Sequence, residues 1–584
     1  MSKTNIEEHF KLPITFNKDK MELTPSIIND LELCSTIDSS TNSMYDIVLN
    51  PSTCFGEKVL PMFSKYYTSD VAFLKDTQQL LDIYNPTIYD NDNDKQEQNE
   101  DNYCLDDFNE INQAWNEIKG ETSFCEKYLY IEWEMGKFLN TNSSFLQIMS
   151  VYNSTSPLIS LCLPIIVLII PFFIIHAKGL NISASQYIDI LKVIVEKHAV
   201  GKLFMNFSEV SFGQQMYLLF SALLYVFSIY QNVLVCLRFY RNISSINKYL
   251  ETIKKYTNYS IHSMEDFLHL TENLSSYSEF CVEVKKHMLV LEHLKKQIDL
   301  VGNFTFSWHN LLNIGTTLKI FYDIYNNSQY NESFCFSFGF QGYLDNMNGL
   351  KRNILNDTIH MASFSTKDDK SLCKFEKSFY PTLMNDQHVK NTCDFKTNMI
   401  ITGPNASGKT TILKTSLINV ILTQQFGCGC YKSASLLPYK YIHCYLNIPD
   451  TSGRDSLFQA EARRCKTIID NISENINERH FCAFDELYSG TNPDDAISSS
   501  LAFMNYLLKY DNVTSILTTH YIKVCKKLNK QKNIKNYCMK TIQKNNSFEY
   551  TYILESGISK VKGGLKVLKD MNYPGEIISN AENN

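Results

Sequence analysis

Met399-Ile400-Ile401-Thr402 is a short β-branched run, and Gly403-Pro404-Asn405-Ala406-Ser407-Gly408-Lys409-Thr410 follows it directly. Two glycines with four residues between them, then Lys and Thr, form a phosphate-binding loop when a strand precedes them and a helix follows; here a helix is expected over Thr411–Leu422. The glycines let backbone amides turn inward around phosphate oxygens, and the helix N-terminus adds its positive dipole end. Lys409 is placed to bridge the β- and γ-phosphates, and the Thr410 hydroxyl to ligate Mg2+. Gly403, Pro404, Asn405, Ala406, Ser407, Gly408, Lys409, Thr410 and Thr411 are therefore the candidate nucleotide-binding residues.

A second run, Phe481-Cys482-Ala483-Phe484-Asp485-Glu486, is a buried strand ending in two carboxylates. Asp485 is expected to hold the magnesium through water, and Glu486 to polarise the attacking water. A third strand, Ser515–Thr518, leads to His520, which can contact the γ-phosphate and report its loss. A lone histidine at a strand end is usually incidental. After the two earlier motifs, it joins them in one ATP site. His388, just upstream of the first strand, is the candidate for stacking on adenine.

These residues occupy the last third of a 584-residue chain, which is too long for one hydrophobic core and implies three or four folding units. With 44% apolar and 20% charged residues the composition is that of an ordered protein. A formal charge of −7 excludes a surface basic throughout, although not a local basic groove. The 17 cysteines form no paired metal-ligand framework, and the closest approach to one, Cys428-Gly-Cys430, is too tight for a zinc knuckle. They read as reduced thiols in a cytosolic setting. No apolar stretch follows the charges of MSKTNIEEHFKLP, so no secretory signal is expected.

Upstream of the site the chain divides by composition. Residues 1–44 carry no clear signal. Residues 45–150 form a helical core-like region, with helical spacing clear from Ser43 to Leu81 and an acidic, Asn-rich insertion near 90–107. Pro157–Ile175, PLISLCLPIIVLIIPFFII, has one hydroxyl and no charge, close to the roughly 20 apolar residues that span a bilayer. Pro164 and Pro171 would kink this helix, which membrane helices tolerate. A second uncharged window runs from Val210 to Leu237. Together they predict a transmembrane hairpin over 157–237; the alternative is a pair of buried helices. Lysines lie in the connecting segment (Lys178, Lys192, Lys197, Lys202) and basic residues follow the second window (Arg238, Arg241, Lys248), so positive charge does not set the orientation. ATP is cytosolic, and a hairpin leaves both chain ends on that side. Residues 238–377 read as a helical lever region, with Ser278–Val301 its clearest helix.

Four stretches carry a family resemblance. Gly403–Thr411, Ser452–Glu461 (SGRDSLFQAE), Asp485–Asn492 (DELYSGTN) and Leu517–Tyr521 (LTTHY) resemble the ATPase domain of the MutS DNA mismatch repair family. In that family a serine, a phenylalanine two residues on and a glutamate five on open a helix between the phosphate loop and the acidic strand. Ser456, Phe458 and Glu461 match that spacing, with one extra residue, Asp455, before the serine. The resemblance implies an α/β P-loop ATPase of ABC type over 378–555, on a mostly helical N-terminal half. It also implies that Ser456 reaches the γ-phosphate held by the opposite subunit of a homodimer, and that 556–584 is a helical dimerisation region. Glu486, Ser456 and His520 are then the catalytic candidates, Thr410 and Asp485 the metal ligands, and ATP with Mg2+ the cofactors.

The chain also departs from the repair enzymes. A core beginning near residue 45 leaves no room for mismatch-reading and connector domains, and Phe55-Gly56-Glu57, which imitates their Phe-x-Glu wedge, falls inside core-like sequence. The resemblance is therefore to a membrane-anchored branch of the family, with the ATPase domain on the cytosolic side. Two functions follow: a membrane-anchored MutS-like ATPase acting on double-stranded DNA in mismatch repair, or an ATP-driven mechanochemical switch at a membrane without mismatch recognition. A transporter is a poor third, with two spans and no LSGGQ-like signature.

Overall fold

The computed structural model describes the chain apart from residues 1–4, 37, 39, 86–102, 180–182, 198–211, 302–312, 365–372, 385–387, 447, 449–455, 545–546, 562–567, 569–570 and 584. Most of the acidic insertion, much of the segment joining the two apolar windows, and Ser452–Asp455 lie outside the described residues. The chain forms two compact units, one built from residues 110–261 and 289–333, the other from residues 5–109, 262–288 and 334–584.

The first unit is helical. Helix α1, Ser143–Ala177, is capped by Asn142, whose side chain accepts from Phe145 N at 3.1 Å. It contains the first apolar window and continues through Pro164 and Pro171. Helix α2, Phe212–Leu270, holds the second window in its first half. Polar groups of the two helices meet each other. The Asn232 amide donates to Ser160 Oγ, the Tyr225 hydroxyl to Ser160 O at 2.9 Å, and the Cys236 thiol to Ser154 O at 3.4 Å. Leu158, Leu161 and Phe173 on α1, and Phe220, Leu223 and Phe227 on α2, are exposed. Polar groups inward and apolar groups outward reverse the pattern of a helix pair in water. Among the described residues one helix, Gln215–Leu270, is long and apolar enough to cross a membrane by length and composition. An aromatic cluster closes the rest of this unit, with Phe124 stacked 3.7 Å from Tyr325, and the Tyr130 hydroxyl donates to Leu318 O at 2.7 Å.

The second unit is organised around helix α3, Ser328–Leu355, whose residues from Phe334 to Leu350 are buried on every face. Two of its polar side chains there, Asp345 and Asn346, reach the backbone of residues 52–56, whereas both amide atoms of the buried Gln341 lack a hydrogen-bond partner among the described residues. Asp345 accepts from the backbone of Ser52 (2.9 Å) and Thr53 (2.7 Å), and the Asn346 amide donates to Gly56 O at 3.0 Å. Glycine lets its neighbours approach: a Cβ at Gly349 would lie 1.6 Å from Leu49 O, and one at Gly342 2.3 Å from Phe55 O. Phe55 is fully buried and stacks on Phe338 at 4.5 Å, so the wedge-like sequence is core. The helical spacing over 43–81 resolves into short pieces, Met44–Leu49, Cys54–Val59, Leu60–Ser64 and Val71–Ile83, with a strand at Tyr66–Thr68. Pro51 and Pro61 withhold the amides a continuous helix would need.

The C-terminal part of this unit is α/β. In chain order it contains strand β1 (Asn398–Thr402), helix α4 (Lys409–Phe426), β2 (Tyr441–Tyr445), α5 (Leu457–Glu474), β3 (His480–Asp485), α6 (Pro493–Leu507), β4 (Val513–Thr519), β5 (Ile534–Lys544) and β6 (Ser547–Ser556). The sheet order is β6-β5-β1-β4-β3-β2, parallel except for the β5–β6 hairpin. A second, five-stranded mixed sheet includes Cys373–Ser378, Asn391–Asp394 and Ser433–Leu436. The cysteines of the described residues are all free thiols.

The close approach of α3 makes a stability prediction. Gly349→Ala should destabilise the second unit by about 3 kcal/mol, the upper range for overpacking. The check is the unfolding midpoint of detergent-solubilised protein, and an unchanged midpoint would show that the backbone can yield at Leu49.

Candidate functional site

Parallel strands deliver their C-terminal ends to one edge of the sheet, and the sequence places its chemistry there. Between β1 and α4 the chain turns through Ala406 (φ 63°) and Gly408 (φ 94°), two left-handed residues that aim successive amides into one hollow. Gly408 is favoured by its left-handed conformation, and a Cβ there would press on Tyr552, 3.2 Å from its Cδ1. The Ser407 hydroxyl donates to Pro404 O at 2.7 Å and braces the loop from behind. The Lys409 ammonium, almost wholly buried, donates to the same carbonyl at 3.2 Å.

The acidic pair meets this loop. The Thr410 hydroxyl donates to Asp485 Oδ2 at 2.9 Å, and the Thr518 hydroxyl donates to Asp485 Oδ1. Glu486 is left-handed (φ 48°), and its amide donates to Thr518 O at 3.0 Å. Its Oε1 lies 3.7 Å from Lys409 Nζ and 3.6 Å from His520 Nδ1. The bond from His520, then the charge of Lys409, hold this carboxyl below the usual carboxylate range against the opposing effect of burial. Glu486 is therefore ionised at neutral pH and remains so further into acid than an ordinary glutamate.

A cleft of about 680 Å³ opens from this cluster. Asn405, Ala406, Gly408, Lys409, Thr410, Thr411, Asp485 and Glu486 line one end, whereas Gly403, Pro404 and Ser407 shape the loop behind the lining. Phe379, Tyr380, His388 and Val389 also line the cleft, and Met539 and Tyr552 stand against Gly408. His388 is there, its ring stacked on Phe379 at 4.3 Å. Tyr552 was not legible in the sequence. It is left-handed (φ 56°), beside an irregularity in the β5–β6 ladder. Asn391 pins it from the second sheet, donating to Tyr552 O at 2.9 Å and accepting from Leu554 N at 2.8 Å. Thr518 was also missed; its only signal was its position in a strand due to lie beside the one ending at Asp485.

The signature residues stand apart from this cleft. Ser456 is the N-cap of α5 in a capping box: its hydroxyl accepts from Gln459 N at 3.3 Å, and the Gln459 side chain accepts from Ser456 N at 3.0 Å. It is exposed and does not line the cleft. Phe458 packs against Tyr488, and Glu461 is buried.

A cleft of this volume suits a nucleotide. Its polar end offers a buried cation, inward amides and, at Thr410 and Asp485, adjacent oxygen donors of the kind a hard divalent cation takes. The residues present fit ATP and Mg2+.

Residues 399–584 match the family model MutS domain V. The chain is 28% identical over 234 residues to the DNA mismatch repair protein MSH3 of Meyerozyma guilliermondii, covering 36% of this chain and 24% of that protein. It is 27% identical over 184 residues to the DNA mismatch repair protein MutS of Aquifex pyrophilus (31% and 21%). To MutS of Bacillus subtilis it is 25% identical over 224 residues (37% and 25%). The chain thus matches about a quarter of the length of these relatives, and the part similar to MutS domain V lies at its C-terminus behind a helical N-terminal half.

The buried lysine provides the prediction for the cleft. Lys409→Ala should weaken binding of a fluorescent ATP analogue at least tenfold, leaving the folded sheet intact by circular dichroism. Unchanged affinity would remove the loop as the phosphate site.

Proposed function

We propose that this chain is a membrane-anchored, MutS-like ATPase that works as a homodimer. The observation that carries the reading is the meeting of Lys409, Thr410, Asp485 and Glu486 at one end of a single cleft. In this reading the loop amides and Lys409 bind the phosphates, and Thr410 with Asp485 holds the metal. Bound Mg2+ would supply charge neutralisation on the β- and γ-phosphates. Glu486, ionised and left-handed at the end of β3, accepts the proton of the attacking water. His520, bonded to that carboxylate, holds its orientation and senses the γ-phosphate. Ser456 completes the site of the opposite subunit, which accords with its place outside the cleft of its own chain.

The reverse polarity of the α1–α2 pair supports anchoring. Asn232 and Ser160 satisfy each other while apolar side chains face outward, as a lipid environment requires. Both chain ends, and the ATPase domain with them, then lie on the cytosolic side. The second reading, action on double-stranded DNA in mismatch repair, rests on the names of the relatives matched by the C-terminal third.

Glu486→Gln should lower turnover roughly 100-fold or more while ATP remains bound, as loss of a general base does. Ser456→Ala should be similarly impaired, and mixing it with Lys409→Ala should restore partial activity through one intact composite site. No restoration would argue against sites shared between subunits. Duplex binding across a salt series separates the two readings, because phosphate contacts weaken steeply with salt. Tight, mismatch-preferring, salt-sensitive binding would favour repair. Its absence, with flotation on vesicles and intact ATPase activity, would favour the membrane switch.

A further inference from the structure

Glu461 is a carboxylate held inside the protein, 2% exposed, with no cation paired to it among the described residues. It accepts from Ser489 Oγ at 3.0 Å and from Gly490 N at 3.2 Å. Both donors belong to the loop that starts at Glu486 and runs to α6. The first turns of α5 grip the same loop elsewhere. A Cβ on Gly490 would lie 2.6 Å from Leu457 Cγ, and the Phe458 and Tyr488 rings sit 5.7 Å apart. From β2, the Tyr445 hydroxyl accepts from Tyr488 N at 3.0 Å. Burial first, and the adjoining Glu461 carboxylate, raise that hydroxyl above its ordinary range.

The loop needs such holding. Glu486 and Tyr488 are both left-handed, at φ 48° and 57°, in a stretch of three non-glycine residues. Side-chain-bearing residues keep that conformation only where their surroundings impose it. Ser500 supplies one restraint, its hydroxyl donating to Leu487 O at 3.0 Å, and Glu461 supplies the pair at the loop's far end. The carboxylate thus decides where the backbone that turns Glu486 toward Lys409 is fixed.

We infer that Glu461 is a positioning residue: by binding Ser489 and Gly490 it ties the helix capped by Ser456 to the loop that aims Glu486 of the same subunit. This rests on the reading of the site as an ATPase shared between two subunits. Its consequence is that the helix lending a serine to the neighbouring site also sets the geometry of the base in its own.

The test uses the full-length protein in detergent, with steady-state hydrolysis and ATP-analogue binding read separately. Glu461→Gln keeps the volume but disturbs the double acceptor. Gly490→Ala leaves the glutamate in place and pushes the loop away from Leu457. Each should lower kcat at least tenfold while the dissociation constant for the analogue stays within twofold. Mixed dimers then locate the effect. A Glu461→Gln chain paired with a Lys409→Ala chain hydrolyses ATP only with the Glu486 of the altered chain, and should lose activity. With both substitutions on one chain and a wild-type partner, the working site has an unaltered Glu486 loop and borrows only Ser456 from the altered chain. It should match the pairing of wild type with Lys409→Ala. Equal loss in both pairings would mean that α5 itself had been disrupted, and would overturn the assignment, as would wild-type kcat in both single variants. Wild-type protein without ATPase activity, or no restoration on mixing Ser456→Ala with Lys409→Ala, would instead overturn the reading of the site on which this one rests.

Discussion

Asp485 receives two hydroxyls, one from the helix that follows β1 and one from the strand that lies between β1 and β3. That is possible only in one register. Asp485 must stand opposite Thr518, and Thr518 opposite Ile401, so that three strand ends arrive level. A shift by one residue would turn Thr518 to the other face of the sheet and remove Glu486 N from its carbonyl. The meeting of Lys409, Thr410, Asp485 and Glu486 is therefore a consequence of strand alignment, which apolar residues set. Met399, Ile400, Ile401, Phe481, Phe484 and Ile516 are all fully buried.

Both units match polar side chains to backbone, as the Tyr130 hydroxyl does in the first by donating to Leu318 O. In the second, Asp345 accepts from the backbone of Ser52 and Thr53. Gln424 and Gln425 of α4 likewise donate to carbonyls of Thr68, Tyr439, Phe63 and Tyr66. These bonds hold the far end of the helix whose N-terminus carries the phosphate loop. In the first unit the hydroxyl and amide of the α1–α2 pair are matched to each other, and the apolar surface is left outside.

What was legible in the sequence follows from how local the signal is. Gly403–Thr410 is contiguous, so its place between a strand and a helix could be read from spacing alone, and the strands around it were placed to within a residue or two. Ser278–Asp299 was likewise clear, with its charged and apolar faces alternating at helical period. Tyr552 and Asn391 could not be read. They reach the cleft through a ladder irregularity and through bonds between two sheets, neither of which leaves a pattern in sequence. The stretch 43–81 misled for the opposite reason: its apolar spacing was helical, but Pro51 and Pro61 broke the pattern into short pieces. Phe55-Gly56-Glu57 could be set aside because a wedge must be exposed, and its surroundings were apolar.

The capping box of α5 has a chemical consequence. The Ser456 oxygen is already engaged as an acceptor for Gln459 N, so the orientation of the side chain is fixed while its hydrogen remains available to point away from the helix. Asparagine or aspartate would cap the helix as well. Aspartate, however, would present a negative charge with no hydrogen to donate, and asparagine a bulkier amide. Of the residues that begin helices well, only those with a hydroxyl can close the helix behind them and still offer one small, rotatable proton in front. The choice of serine here is then a matter of which hand is left free.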